Sequence, residues 1–277
     1  MHNQGSRDSR ELVIHRVGRL REALELDTHR IISLVGAGGK TSLMFAMVRE
    51  LATLGHHVVT STTTKIFEPS RKETPFLFVG EEEGDIFKAI PDVIHRYGHV
   101  TVAESRLPGK KLRGVSPELI NGLGALDEVD HVLVEADGAA QLPLKAPDEN
   151  EPVIPSKTSL VVVVVGIDSL GVELSGDHVF RPRIVSELTG LPLGGTVTVE
   201  AVAELIVHPR GMTKGAPPHS TIIPFVNKVD IPESLKKAKA LARRILEKGH
   251  PKIKRVALGH AIYEMPLEAV VSRKVDV

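Results

Sequence analysis

Ile31-Ile32-Ser33-Leu34-Val35-Gly36-Ala37-Gly38-Gly39-Lys40-Thr41-Ser42 is a β-branched run that breaks into glycines, then a lysine and two hydroxyls. A helical pattern follows, with Leu43, Phe45, Ala46, Met47, Val48 and Leu51 apolar and Gly55 a suitable stop. His57-Val58-Val59-Thr60-Ser61 reads as the next strand. Strand, glycine loop, helix and strand in this order make a βαβ unit with parallel strands. Glycines at the turn let successive amides close around phosphate oxygens. The helix N-terminus adds free donors and a partial positive charge. Gly36, Ala37, Gly38, Gly39, Lys40, Thr41 and Ser42 are therefore the candidate phosphate-binding loop. Lys40 would bridge the terminal phosphates, and Thr41, with Ser42 as second choice, would place a hydroxyl on Mg²⁺. The pattern G-x-x-x-x-G-K-[ST] asks for glycine where Leu34 stands, so the loop is shortened or differently wound.

Outward from this unit, strands are expected at Phe76–Val79, His99–Ala103, His131–Val134, Leu160–Val165, Thr221–Val226 and Ile253–Val256. Helical patterns lie between them near 84–96, 117–126, 182–190, 198–207 and 232–248. Continuous apolar strands imply burial on both faces of a mostly parallel sheet. The expected fold is α/β: three layers, P-loop NTPase-like, with a mostly parallel central sheet flanked by helices. One domain is expected over 1–277. Residues 1–29 form a helical extension in this reading, because Leu12, Val13, Val17, Leu20 and Leu24 recur at helical spacing.

Val132-Leu133-Val134-Glu135-Ala136-Asp137-Gly138 ends an apolar strand in two acids and a glycine. In P-loop proteins an acid at such a strand end holds Mg²⁺. Glu135 and Asp137 are two apart and share one side of an extended chain. Asp137 pairs with Thr41 as the expected metal ligands, with Glu135 orienting water. Lys40, Glu135 and Asp137 are the candidate catalytic residues.

Asn227-Lys228-Val229-Asp230 follows another apolar strand. An Asp carboxylate there can accept from the ring N1–H and exocyclic amine of guanine, a pair that adenine does not offer. The stem of Lys228 would cover the base and Asn227 would brace the loop. The alternative role for Asp230 is a cap of the 232–248 helix. Thr62-Thr63-Thr64-Lys65 ends the second strand on the same sheet edge and could sense phosphate or metal. Gly109-Lys110-Lys111-Leu112-Arg113-Gly114 suits an anionic ligand. The proline-rich Lys145–Pro152 stretch reads as a lid or substrate loop, and His178 and His208 sit in loops.

Lys+Arg and Asp+Glu each total 35, so the net charge of +0 gives no argument for nucleic acid as a partner. Aromatics are 3% and Trp is absent, which argues against a base-stacking platform. The absence of Cys excludes disulfides and thiolate chemistry and fits a reducing cytoplasm. The longest apolar run, Leu160–Gly166, is far short of the ~20 residues of a membrane span.

In order and spacing, several motifs resemble the YqeC-type family, accessory proteins of selenium-dependent molybdenum hydroxylases. They are Val35–Ser42, Thr62–Lys65, Lys111–Gly114, Val134–Gly138, Leu144–Pro147 and Glu151–Pro155, then His208-Pro209, Lys214-Gly215 and Asn227–Asp230. The resemblance spans about residues 30 to 260. It implies a role in maturing a selenium- or molybdenum-containing enzyme, with that hydroxylase or its cofactor-maturation proteins as partners. Members carry Gly-Arg or a similar pair where this chain has Gln141-Leu142.

The leading reading is a Mg²⁺-dependent triphosphatase, with GTP favoured over ATP. A nucleotide-gated binding protein without turnover, a small-molecule kinase and a binder of a dinucleotide or molybdopterin dinucleotide stay open beside it.

Overall fold

A computed structural model describes residues 12–262 and 267–274. A ten-stranded sheet runs through it. Its strand order is Leu12–His15, Leu267–Arg273, Arg255–Gly259, Thr221–Asn227, Leu160–Gly166, Ile31–Gly36, His131–Glu135, Val58–Thr62, His99–Ala103 and Leu77–Val79. Eight neighbouring strands are parallel, and the first two lie antiparallel at one edge. The glycine-loop strand Ile31–Gly36 is central, between Leu160–Gly166 and His131–Glu135.

Alternation along the strands builds two apolar faces. Val162 and Val164 pack with Ile32, Leu34 and the helix Lys40–Thr53 on one face. Val161, Val163 and Val165 pack on the other, against the helices Pro182–Thr189, Val199–Val207 and Pro232–Glu247. Val132 and Val134 carry that second face on to the helices Glu83–Tyr97 and Pro117–Leu123. The result is the expected three-layer α/β architecture, a mostly parallel central sheet flanked by helices.

The N-terminal helical reading is corrected. Leu12–His15 is a strand paired antiparallel with Leu267–Arg273, and among the described residues of the extension only Leu20–Ala23 and the 3-10 turn Leu26–Thr28 are helical. The β-branched Val13 and Ile14 suit an edge pairing that helical spacing could not reveal. The remainder of the extension, residues 1–11, lies outside the described residues. The last parallel strand is Arg255–Gly259, further along than expected. The basic loop contains a strand, Lys111–Arg113, which joins Lys65–Phe67 and Ser105–Leu107 in a small antiparallel sheet. No helix among the described residues is long and apolar enough to cross a membrane.

Candidate phosphate and nucleoside site

The glycine loop, the acidic turn, the Thr-rich turn and the Asn-Lys-x-Asp turn all lie at the carboxyl edge of the parallel strands. That edge is where open α/β sheets bind ligands.

The loop is held from several sides. The amide of Ala37 donates to Val164 O and that of Gly38 to Leu142 O. A side chain on Gly38 would run into the backbone of Gly166, at 2.3 Å from its nitrogen, and Gly38 and Gly39 both have positive φ, 82° and 120°. Glycine is thus required by space and by conformation. The helix begins at Lys40 with no side-chain cap. The amides of Lys40, Thr41 and Ser42 have no acceptor among the described residues, so donors stand free where an anion can meet them.

Lys40 is buried and folded back into its own loop. Its Nζ donates to Gly36 O at 2.6 Å, and lies 3.1 Å from Asp137 Oδ1 and 3.7 Å from Glu135 Oε1. Burial alone would lower its pKa, but Asp137 and Glu135 outweigh that and hold it above the usual lysine value. Burial pushes the Glu135 carboxyl above the usual carboxylate range, against the pull of Lys40 and Thr41. The hydroxyl of Thr41 donates to Glu135 Oε2 at 2.7 Å. Sequence reasoning paired Thr41 with Asp137; the contact formed is with Glu135. Leu34 is in register with Glu135 in the neighbouring strand, which puts that carboxylate directly beside the loop.

Asp137 is occupied differently. Its Oδ2 accepts from the Gly36 amide at 3.0 Å and faces Lys145 Nζ at 3.0 Å. Lys145 is completely buried and also reaches Glu151 Oε2 and Gly138 O, each at 2.6 Å. Arg181 closes the chain, with Nη1 at 2.6 Å from Glu151 and Nη2 at 2.5 Å from Asp148. Although burial opposes it, hydrogen bonds from Arg181 and Lys145 hold the Glu151 carboxyl below its ordinary range. Lys145, at the head of the expected lid or substrate loop, belongs to a short strand, Leu144–Lys145, paired with Val179–Phe180, while residues 146–152 carry no helix or strand, as their prolines predict.

The Asn-Lys-x-Asp turn meets the loop from the other side. Asn227 Nδ2 donates to Gly38 O at 2.8 Å, and its Oδ1 accepts from the Ala261 amide at 2.9 Å. Lys228, at φ 65°, extends to Asp168 Oδ2 at 2.5 Å. Beside them is a cavity of about 450 Å³, lined in part by Asn227, Lys228, Asp230, Asp168 and Ala261. Asp230 does not cap the following helix, whose N-cap is Ile231 with no side-chain bond. A second cavity, about 580 Å³, runs over Gly38–Ser42 and Glu135 toward Lys65, Phe67 and Lys111. The two share Gly39, Ser42 and Lys228.

Two hydroxyls of the Thr-rich turn, those of Thr62 and Thr63, are taken up by backbone carbonyls. Thr62 Oγ1 donates to Glu135 O at 2.7 Å and Thr63 Oγ1 to Val153 O at 2.7 Å. His208 Nδ1 accepts from the Arg210 amide. Among the described residues no group of three or more His or acidic side chains is placed to hold a metal. Sequence reasoning missed Asp168 and Ala261, and also Glu151 and Arg181 as supports of Lys145. Gly259-His260-Ala261 at a strand end was the available signal for one of them, hidden by the misplaced strand boundary.

Comparison with known proteins gives three findings. The family model described as YqeC protein matches residues 32–183, more than half of the chain. A relative from Escherichia coli (strain K12), described as "Uncharacterized protein YqeC", is 35% identical over 198 residues, covering 72% of this chain and 75% of its own. A solved structure, FtsY from Mycoplasma mycoides, aligns over 86% of this chain at 14% identity with a TM-score of 0.36, and the match spans 63% of the FtsY chain. With a family model matched over more than half of the chain and a relative matched over most of its length, the chain belongs to the YqeC family.

Proposed function

We propose that this protein binds a nucleoside triphosphate with Mg²⁺ and hydrolyses it, with GTP favoured over ATP. The observation that carries the reading is the buried Lys40, held by Asp137 and Glu135 beneath the free amides of its helix. The phosphates would draw the Lys40 ammonium out of this clasp and take the open amides. The Asn227 bridge between Gly38 and Ala261 fixes the loop against the 450 Å³ cavity, which has room for a nucleoside. Asp230 on its wall is the group that would select guanine.

The residues fit Mg²⁺. Thr41 and Asp137 would hold it, and both offer oxygens, the donors a hard cation takes. Asp137 Oδ1 is buried and receives no well-directed hydrogen bond, despite Lys40 at 3.1 Å. Mg²⁺ bound there would neutralise charge on the terminal phosphates. Glu135, with its raised pKa, orients the attacking water and takes its proton. The water oxygen bonds to the γ-phosphorus, the bridge to the β-phosphate breaks, and the nucleoside diphosphate leaves.

We place this turnover in the maturation of a selenium-dependent molybdenum hydroxylase. Support for that step is the family alone; the chain has no cysteine to carry selenium. Calorimetric titration with GTP, ATP and a dinucleotide, each with and without Mg²⁺, tests the reading. Mg²⁺-dependent triphosphate binding that is lost in Lys40→Ala supports it. Binding of the dinucleotide alone, or unchanged binding in Lys40→Ala, overturns it.

A further inference from the structure

The larger cavity extends past the phosphate loop to a wall that a nucleotide does not need. That wall is the small sheet of Lys65–Phe67, Ser105–Leu107 and Lys111–Arg113. Its pairing sets Lys65 opposite Arg113 and Phe67 opposite Lys111, so all four share one face. Ile66 and Leu112 point the other way into an apolar cluster with Ala103. The sheet is tied to the main one by backbone bonds from Gly114 N to Thr64 O and Val115 N to Thr62 O, at 2.7 and 2.9 Å. A side chain on Gly114 would meet Thr62 O at 2.2 Å, which leaves no slack at that join. The wall is thus held at a set distance from the loop.

Its charges are not balanced. Arg106 pairs with Glu68 and Arg113 with Glu104. Lys65 and Lys111 have no carboxylate partner among the described residues. Phe67 is half exposed in a chain with few aromatic residues, and Lys111 Nζ stands 5.1 Å from its ring centroid. An exposed ring with unpaired cations on its face is a surface for a flat anion. The cavity beside Asn227 and Asp230 shares Gly39, Ser42 and Lys228 with this one but is not lined by Lys65, Phe67 or Lys111, so a base seated there leaves this ring uncovered.

We propose that Lys65, Phe67 and Lys111 bind a second small molecule, one that carries an anionic group and a flat ring, across the cleft from the phosphate loop. The inference rests on the nucleotide reading for the identity of what stands opposite. The two lysines hold the anionic group, Phe67 stacks on the ring, and the cleft brings the ligand to the terminal phosphate.

Phenyl phosphate is the probe. The 277-residue chain is first saturated with Mg²⁺ and a non-hydrolysable GTP analogue, then titrated calorimetrically. Phenyl phosphate should still bind, and its affinity should fall by about tenfold or more in the Lys65→Ala/Lys111→Ala double variant and in Phe67→Ala. The analogue's own affinity should stay within about twofold in those variants. Displacement of phenyl phosphate by the analogue, equal binding by the double variant, or no binding at all overturns the proposal. If the analogue fails to bind the unsubstituted protein, the nucleotide reading falls, and titration without nucleotide decides the second site by itself. Loss on the Lys65/Lys111 substitutions with retention in Lys40→Ala keeps the second site, and the reverse removes it.

Discussion

Lys145 Nζ lies 3.0 Å from Asp137 Oδ2, so a fully buried lysine supports from behind the same carboxylate that Lys40 faces from the front. Asp137 is thereby fixed between two ammonium groups. The second passes its remaining contacts to Glu151 and, through it, to Arg181. Removing one partner from such a group leaves charges buried without compensation, which costs far more than the intact network contributes. Lys145→Met should therefore destabilise the fold by about 3–5 kcal/mol. Urea unfolding of the variant measures it, and a loss below about 1 kcal/mol would make the network dispensable.

Glu135 touches Thr41 and lies near Lys40 but is not the main anchor of the loop. Glu135→Gln keeps the shape and removes the base. Turnover should drop on the order of 10²-fold or more, while triphosphate affinity changes little. Steady-state hydrolysis beside calorimetry separates the two, and equal losses would make Glu135 a binding group instead.

Asp230 stands on the nucleoside cavity without capping its helix. Asp230→Asn should erase most of the preference for GTP, about 10- to 100-fold for hydrogen bonds to a charged acceptor. Competition between GTP and ATP reads this directly. An unchanged ratio would remove Asp230 from base recognition.

His99 supplies a pH dependence. It is buried, its Nε2 is 3.0 Å from Thr60 Oγ1, and burial lowers its pKa to about 4. The unfolded chain therefore binds this proton more readily than the folded one. Stability from His99 is complete above about pH 6.5 and is lost as pH falls toward 4, by about 2 kcal/mol at pH 5. Burial lowers His29 and His131 as well, so their contributions have the same sign. Urea midpoints at pH 7.5 and 5 should show the slope, reduced in His99→Gln. An identical slope in the variant would rule His99 out as its source.

The central βαβ unit and most parallel strands were readable from the sequence because their signals are local. A buried parallel strand needs a continuous apolar run, a phosphate loop needs glycines before a lysine, and a helix needs its period. Leu160–Gly166, Gly36–Thr41 and Pro232–Glu247 each carry their own evidence. The Glu135, Asp137, Asn227 and Asp230 positions were found the same way, as polar residues at apolar strand ends.

What only the tertiary structure decided depends on partners distant in the chain. Leu12–His15 is a strand because Leu267–Arg273 offers it an edge, and no local pattern announces that. Thr41 meets Glu135 rather than Asp137 because of the register between two strands roughly a hundred residues apart. Lys145 read as part of a lid or substrate loop, where a lysine beside prolines and acids is usually exposed. Its burial follows from three anions or carbonyls that folding brings around it, a coincidence of place that sequence order does not contain. The sequence by itself determined the parallel part of the sheet, the glycine loop and the chemistry available at its edge. Folding determined which charges face each other there, because pairing energies depend on distance in space and not on separation along the chain.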